Sequence, residues 1–74
     1  MLGLRNNPIA ALPEWIGGLP ELIHLDLRGN RLLHLPPSLA DLPKLQKLDL
    51  RWNKLVSDGG VPARLEERGC VVLQ

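Results

Sequence analysis

The side chains best suited to chemistry in this 74-residue chain are one cysteine and two histidines. Cys70 is a possible nucleophile, and with His24 and His34 it offers three potential zinc ligands. A structural zinc ion needs four ligands, and these three side chains lack the usual ligand spacing. The glycine pairs at 17–18 and 59–60 form no phosphate-binding pattern. The sequence therefore predicts no metal, no cofactor and no enzyme activity.

The overall charge also excludes several function classes. Nine basic and eight acidic side chains give a net charge of +1, which favours neither nucleic acid nor a membrane surface. No apolar run approaches the roughly 18 residues of a membrane span. The segment from Met1 to Arg5 lacks the basic and then apolar pattern of a secretory signal. A single cysteine cannot form an internal disulfide, so we expect a reducing compartment and a cytoplasmic protein.

A repeat of 23 residues runs through the chain. Leucine fills 18 of the 74 positions, whereas Phe, Tyr and Thr are absent. The 23-residue step links Asn7, Asn30 and Asn53, and it also links two apolar columns: Leu2, Leu25, Leu48 and Val71, and Leu4, Leu27, Leu50 and Leu73. So many columns in one phase indicate a repeated structural unit rather than an irregular core.

The most complete unit has a recognisable pattern. It reads Leu22-x-x-Leu25-x-Leu27-x-x-Asn30-x-Leu32-x-x-Leu35-Pro36-x-x-Leu39-x-x-Leu42. This unit resembles the leucine-rich repeat family, and residues 2–55 share the pattern strongly while 56–74 share it weakly. The repeat length and the Leu-Pro pair after the asparagine are similar to cytoplasmic bacterial repeat proteins and to Ras-pathway scaffolds. The resemblance implies a protein-binding solenoid.

The residues independently predict the same architecture. Leu25-x-Leu27 and Leu48-x-Leu50 have the alternation of half-buried strands. An asparagine after each strand can hydrogen-bond the backbone of a turn, and Pro36 prevents a long helix in the return segment. We therefore expect an α/β fold, a short leucine-rich-repeat solenoid. Its parallel β-sheet lies on the concave face, with irregular, 3-10 or short helical returns on the convex face.

The two ends of the predicted array differ. Residues 62–69 read as a short helix followed by a strand at 70–73, so we interpret 56–74 as a C-terminal cap-like segment of a single domain over 1–74. At the other end, Leu2 and Leu4 open the array with an apolar edge. Repeat arrays normally cover such an edge, so we expect either that further repeats precede it or that it contacts a partner or another copy of the chain.

The strand residues between the core leucines should lie on the concave face. They form three columns: Met1, His24, Lys47 and Cys70; Gly3, Asp26, Asp49 and Val72; and Arg5, Arg28, Arg51 and Gln74. We predict that Asp26, Arg28, Asp49, Arg51 and Trp52 lie together on one exposed face and form a partner-binding surface. In the alternative interpretation, the charges only pair with one another, each pair contributing ~0–1 kcal/mol, and Trp52 covers its own turn.

These observations favour a protein–protein interaction module that binds a partner through the concave strand face. The alternative is a structural segment that caps a larger leucine-rich repeat protein and binds nothing itself. Cys70 and His24 would be two strands apart, roughly 10 Å, which is too far for a nucleophile and its base. Asp26 and Asp49 would repel phosphates beside the arginines, which disfavours nucleic acid.

Overall fold

Four short parallel strands form one face of the structure, a computed structural model that describes residues 1–74 apart from the side chain of Glu14. The strands are β1 (Leu2–Gly3), β2 (His24–Asp26), β3 (Lys47–Asp49) and β4 (Val71–Leu73), and they lie in that order. Leu2 pairs with Leu25 and Leu25 pairs with Leu48, so the first three strands follow the 23-residue step. The predicted parallel sheet and solenoid fold are confirmed.

The return segments form the opposite, convex layer. The first two returns contain 3-10 helices, Glu14–Gly18 and Pro37–Asp41, and the third contains the helix α1, Val61–Glu67. Pro13 and Pro36 precede the two 3-10 helices with φ angles of −67° and −68°, which are the angles that a proline ring imposes. The returns are therefore short, and each leads the chain back to the start of a neighbouring strand.

The core lies between the sheet and the returns and consists almost entirely of leucine. Leu25, Leu27 and Leu48 point inward from the strand side, while Ile16, Leu39 and Leu65 point inward from the returns. All six are at most 1% exposed. Burying one such side chain stabilises the fold by about 1.5–3 kcal/mol, so the repeated columns account for most of the packing.

The last strand departs from the predicted register by one residue. Val71 pairs with Lys47, and Val72 pairs with Leu48, so the last step is 24 residues. The prediction that Val71 would continue the Leu48 column was therefore wrong, because α1 replaces the 3-10 helix and lengthens the third return. A shift of one residue exchanges the two faces of a strand. Cys70 is consequently buried, and Val71 lies exposed on the concave side.

The asparagines after the strands join neighbouring coils. Asn30 is buried, and its side-chain Nδ2 donates to the carbonyl oxygens of Leu4 and Leu27, both at 2.9 Å. Its Oδ1 accepts a hydrogen bond from the backbone N–H of Ile9. Each Asn30 bond to Leu4 or Ile9 crosses to the preceding coil, so the side chain replaces backbone pairing that the turn lacks. The predicted role of Asn30 is confirmed.

The β1 edge of the sheet leaves part of the apolar core open to solvent. Leu2, Leu4, Leu19 and Leu22 are only partly buried, although they pack against the core. A groove of about 370 Å³ runs along this edge between Met1 and Ile23. Among the described residues, none of the helices has the length and apolar character needed to cross a membrane.

Candidate functional site

Two aspartates and two arginines form a cluster at the carboxyl ends of β2 and β3, which we call the Asp–Arg cluster: Asp26, Arg28, Asp49 and Arg51. Within β2 and its continuation, Arg28 Nε donates to Asp26 Oδ1 at 3.0 Å and Nη2 donates to Oδ2 at 2.7 Å. Arg51 makes the same two bonds to Asp49, at 3.0 and 2.8 Å. Arg28 Nε also lies 3.2 Å from Asp49 Oδ2, so the two pairs are joined.

The spacing of the residues explains this geometry. Residues two apart in an extended chain lie on the same face, so each arginine projects beside the aspartate that precedes it. The backbone N–H of Arg28 also donates to Asp26 Oδ1, and that of Arg51 donates to Asp49 Oδ1, both at 3.2 Å. Each carboxylate is therefore held by the side chain and the backbone of one residue, and forked arginine contacts of this kind have a well-defined geometry.

The arginines lower the pKa values of both aspartates, and they also cover Asp49. Hydrogen bonds from Arg28 lower the pKa of Asp26 from 3.8 to about 2, and burial only partly opposes them. The Arg51 hydrogen bonds likewise lower the pKa of Asp49. The Asp49 side chain is only 6% exposed, whereas the Arg51 side chain is 40% exposed. The prediction that Asp49 lies on the exposed face was therefore wrong, because the two long arginine side chains cover it.

Trp52 lies at the rim of this cluster, at the turn that leaves β3. Its φ angle is 64°, in the left-handed region that side chains rarely adopt. The equivalent residues of the two preceding coils, Asn6 and Gly29, also have positive φ angles, 62° and 70°. The turn thus requires this conformation in every repeat. Trp52 nevertheless remains 70% exposed, with the Arg51 guanidinium carbon 5.7 Å from the centroid of its ring.

The concave face has further polar side chains beside the cluster. His24 and Lys47 are exposed at the entrance of a depression of about 190 Å³ whose floor is the Asp–Arg cluster. Both were assigned to the concave face by the repeat phase, although they were not among the predicted site residues. On the far side of Lys47 the register shift adds the exposed Val71. The face therefore combines a hydrogen-bonded ionic cluster with an exposed cation, Lys47, and an exposed apolar residue, Val71.

The side chains considered for catalysis, Cys70 and His24, lie on opposite sides of the sheet. Cys70 is buried, and that burial raises the pKa of its thiol, which disfavours the reactive thiolate. Because of the register shift, its side chain lies on the core side of the sheet while His24 is exposed on the concave side. Within the described part of the chain, no group of three or more His, Cys, Asp or Glu side chains has the geometry of a metal site.

Comparison with known proteins agrees with the repeat geometry. A family model described as leucine rich repeat matches residues 1–55 of the 74. No curated protein matches the chain. Leucine-rich repeat domains are generally protein–protein interaction modules and are typically non-enzymatic scaffolds. From the match and the stacked coils with their asparagine turns, the chain belongs to the leucine-rich repeat family.

Proposed function

We propose that this chain binds another protein through the concave face of its sheet. The Asp–Arg cluster is the polar platform for that contact, and Trp52 at its rim is the apolar contact residue. The observation that supports this proposal most strongly is the conformation and exposure of Trp52. The experiment below tests it with variants on the concave side and matched variants on the return side.

The left-handed backbone conformation of Trp52 lowers the stability of the fold. A residue other than glycine held in the left-handed region costs on the order of 1–3 kcal/mol. Gly29 fills the same position in the preceding coil without that penalty. The indole is also largely in water, so burial does not compensate for the strain. A strained and exposed tryptophan is explained by a contact outside the chain, where tryptophan is among the residues that contribute most to binding.

The Asp–Arg cluster suits a platform because its geometry is already fixed. Each guanidinium uses Nε and Nη2 for an aspartate, and Nη1 makes no hydrogen bond to the described residues. A partner's carboxylate or carbonyl oxygen can therefore bind there without any rearrangement. Since the arginines are held before the partner arrives, little side-chain entropy is lost on binding. The pairing that the alternative interpretation expected is thus compatible with binding.

The size of the face limits the interface. Four strands span roughly 14 Å, which gives a concave area of a few hundred Å². A stable complex usually needs about 800 Å² from each partner. The contact must therefore extend beyond the strands, and Trp52 lies at the rim where the face continues into the turns.

A structural capping role is the second candidate, and the C-terminal segment favours it. Val61 and Leu65 of α1 are fully buried, and β4 pairs with β3 along the end of the sheet. These contacts close the leucine core at this end. A segment that only closes a core would tolerate any substitution on its concave face without losing a partner.

The test is partner capture from a native lysate followed by identification of the bound protein. We expect Trp52→Ala and Lys47→Glu to reduce capture, whereas Trp15→Ala and Lys44→Glu should not. Trp15 is 64% exposed on the return side, and Lys44 forms an exposed ion pair with Glu21, so both are matched controls. Arg28→Ala is less suitable, because Arg28 contacts two aspartates and its loss would also destabilise the fold. Equal capture by all variants would overturn binding through the concave face, and absence of specific capture even by the original chain would support the capping role instead.

We also propose self-association through the β1 edge and a cytoplasmic setting. The open groove between Met1 and Ile23, with Ile23 43% exposed, supports the first proposal. Sedimentation at increasing protein concentration tests it, and Ile23→Glu should keep the chain monomeric.

A single thiol that is buried in the core supports the second proposal, the cytoplasmic setting, since it needs no oxidising environment. Localisation of a tagged chain in its native cells tests that setting.

A further inference from the structure

A second groove lies on the turn side of the sheet, next to the concave face. It has a volume of about 330 Å³ and is lined by Asn30, Arg31, Leu33, Trp52 and Lys54. The Asn30 side chain is bonded inward, so the chemistry of the groove comes from two apolar and two cationic side chains. We propose that this groove binds an acidic, extended peptide segment of the partner protein. The proposal rests on the proposed function and adds the partner's chemistry and the surface that recognises it.

The apolar side of the groove is continuous across two coils. Leu33 is 44% exposed and Val56 is 76% exposed, and the backbone N–H of Val56 donates to the carbonyl oxygen of Leu33 at 2.8 Å. Trp52 lines the groove together with Leu33, and the Arg51 guanidinium lies over its ring. Soluble proteins that expose such clusters usually use them for binding. The remaining indole surface and Leu33 can enclose one apolar side chain of the peptide.

The two cations of the groove differ from the paired cations of the return side. Arg31 and Lys54 occupy the same position in successive repeats, and both are exposed. Among the described residues, neither has an acidic group within ion-pair distance, whereas Lys44 pairs with Glu21 and Arg64 pairs with Asp41 on the return side. Residues 28–34 and 51–57 contain no Asp or Glu. The groove therefore has positive charge that only an outside group can neutralise.

An extended peptide fits this arrangement better than a nucleic acid. Side chains two residues apart in an extended segment lie on one face roughly 6–7 Å apart, within the reach of two cations from neighbouring coils. Binding of single-stranded nucleic acid instead uses a longer basic track with aromatic side chains for successive bases. Here Trp52 is the only aromatic side chain in the groove, and the other apolar wall is aliphatic. We therefore expect two carboxylates that flank one apolar residue.

The direct test follows the indole N–H signals of Trp15 and Trp52 by NMR while a defined peptide is added. The capped peptide Gly-Glu-Leu-Glu-Gly should shift the Trp52 signal, leave the Trp15 signal in place, and bind more weakly as salt rises. The double variant Arg31→Glu with Lys54→Glu should weaken binding about tenfold, while Lys44→Glu should not. Thermal unfolding followed by circular dichroism confirms that each variant is folded.

Three results would overturn the proposal. The first is an equal Trp52 shift with Gly-Lys-Leu-Lys-Gly, which would show that charge is not recognised. The second is a stronger shift with oligothymidylate, which would indicate a nucleic acid ligand. The third is partner capture that falls with Trp52→Ala but not with the Arg31 and Lys54 double variant. That third result would leave the proposed function standing, whereas undiminished capture by both variants would overturn the two proposals together.

Discussion

The turns at residues 28–30 and 51–53 share their backbone conformation at the middle residue, but that residue is Gly29 in one turn and Trp52 in the other. Both end in an asparagine whose Nδ2 donates to its own coil and to the preceding one: Asn30 to Leu27 and Leu4, Asn53 to Leu50 and Leu27. Both have a positive φ in the middle, 70° at Gly29 and 64° at Trp52. Glycine adopts this conformation without strain, and tryptophan does not. The asparagines therefore serve the fold, while the tryptophan needs another explanation.

The neighbouring coil leaves less free space for a side chain at Gly29. A β-carbon added to Gly29 would overlap the Oδ1 atom of Asn6, which occupies the equivalent position one coil earlier. Trp52 follows Gly29 in that column, and glycine has no side chain to obstruct it. The third turn thus has free space for a large residue, whereas in the second turn the exposed Asn6 side chain would have to move.

The largest effect expected from changing these turns is at Asn30. The Asn30→Ala variant should lower the free energy of unfolding by about 2–3 kcal/mol, because the Ile9 N–H would lose its acceptor and the Leu4 and Leu27 carbonyls would each lose one of two side-chain donors. Asn7 makes its bonds at the exposed end, so Asn7→Ala should cost clearly less. Urea unfolding of both variants measures the difference. Equal losses would contradict the idea that bonds between coils are the main contribution of the asparagines.

A smaller loss is expected at the glycine of the same turn. The Gly29→Ala variant should lower the free energy of unfolding by about 1–2 kcal/mol, from left-handed strain and from the overlap with Asn6. The double variant with Asn6→Gly should recover part of this loss, because it removes the overlapping side chain. Urea unfolding of the single and double variants checks this. No recovery would mean that backbone strain alone accounts for the loss.

The Asp–Arg cluster makes the stability of the fold depend on pH in the acid range. Folding lowers the pKa of Asp26 from 3.8 to about 2 and also lowers the pKa of Asp49. The unfolded chain then binds these protons more readily than the folded chain. Stability should be complete above about pH 5 and should fall as the pH decreases toward about 2. Asp26→Asn should make this decline shallower in acid unfolding, and an unchanged curve would contradict the assigned pKa shift.

Much of the fold could be predicted because the repeat fixes which residues share a column. The Leu25 and Leu48 columns and the buried Asn30 follow from the 23-residue step. The β4 register could not be predicted, since the sequence does not show how many residues a helical return consumes. The repeat phase likewise placed Asp49 on the concave side but could not show that arginines would cover it.

The candidate groove on the turn side was missed, although the sequence contained a signal for it. Arg31 and Lys54 share a column in two segments without acidic residues, and Leu33 and Val56 share another. Single exposed apolar residues are common on protein surfaces, so these columns alone did not predict a binding site. Only the folded structure shows that Trp52 lines one groove together with Leu33, Arg31 and Lys54.

The most direct test of the claim that Trp52 serves binding is to replace it with glycine, the residue at the equivalent position of the preceding turn. For Trp52→Gly, the free energy of unfolding by urea and the amount of captured partner should be measured on the same preparation. We predict that stability stays within about 1 kcal/mol of the original chain, because relief of strain offsets the added freedom of glycine, while partner capture falls sharply. A variant that loses stability strongly, or that captures the partner as well as the original chain, would contradict the claim that Trp52 serves binding.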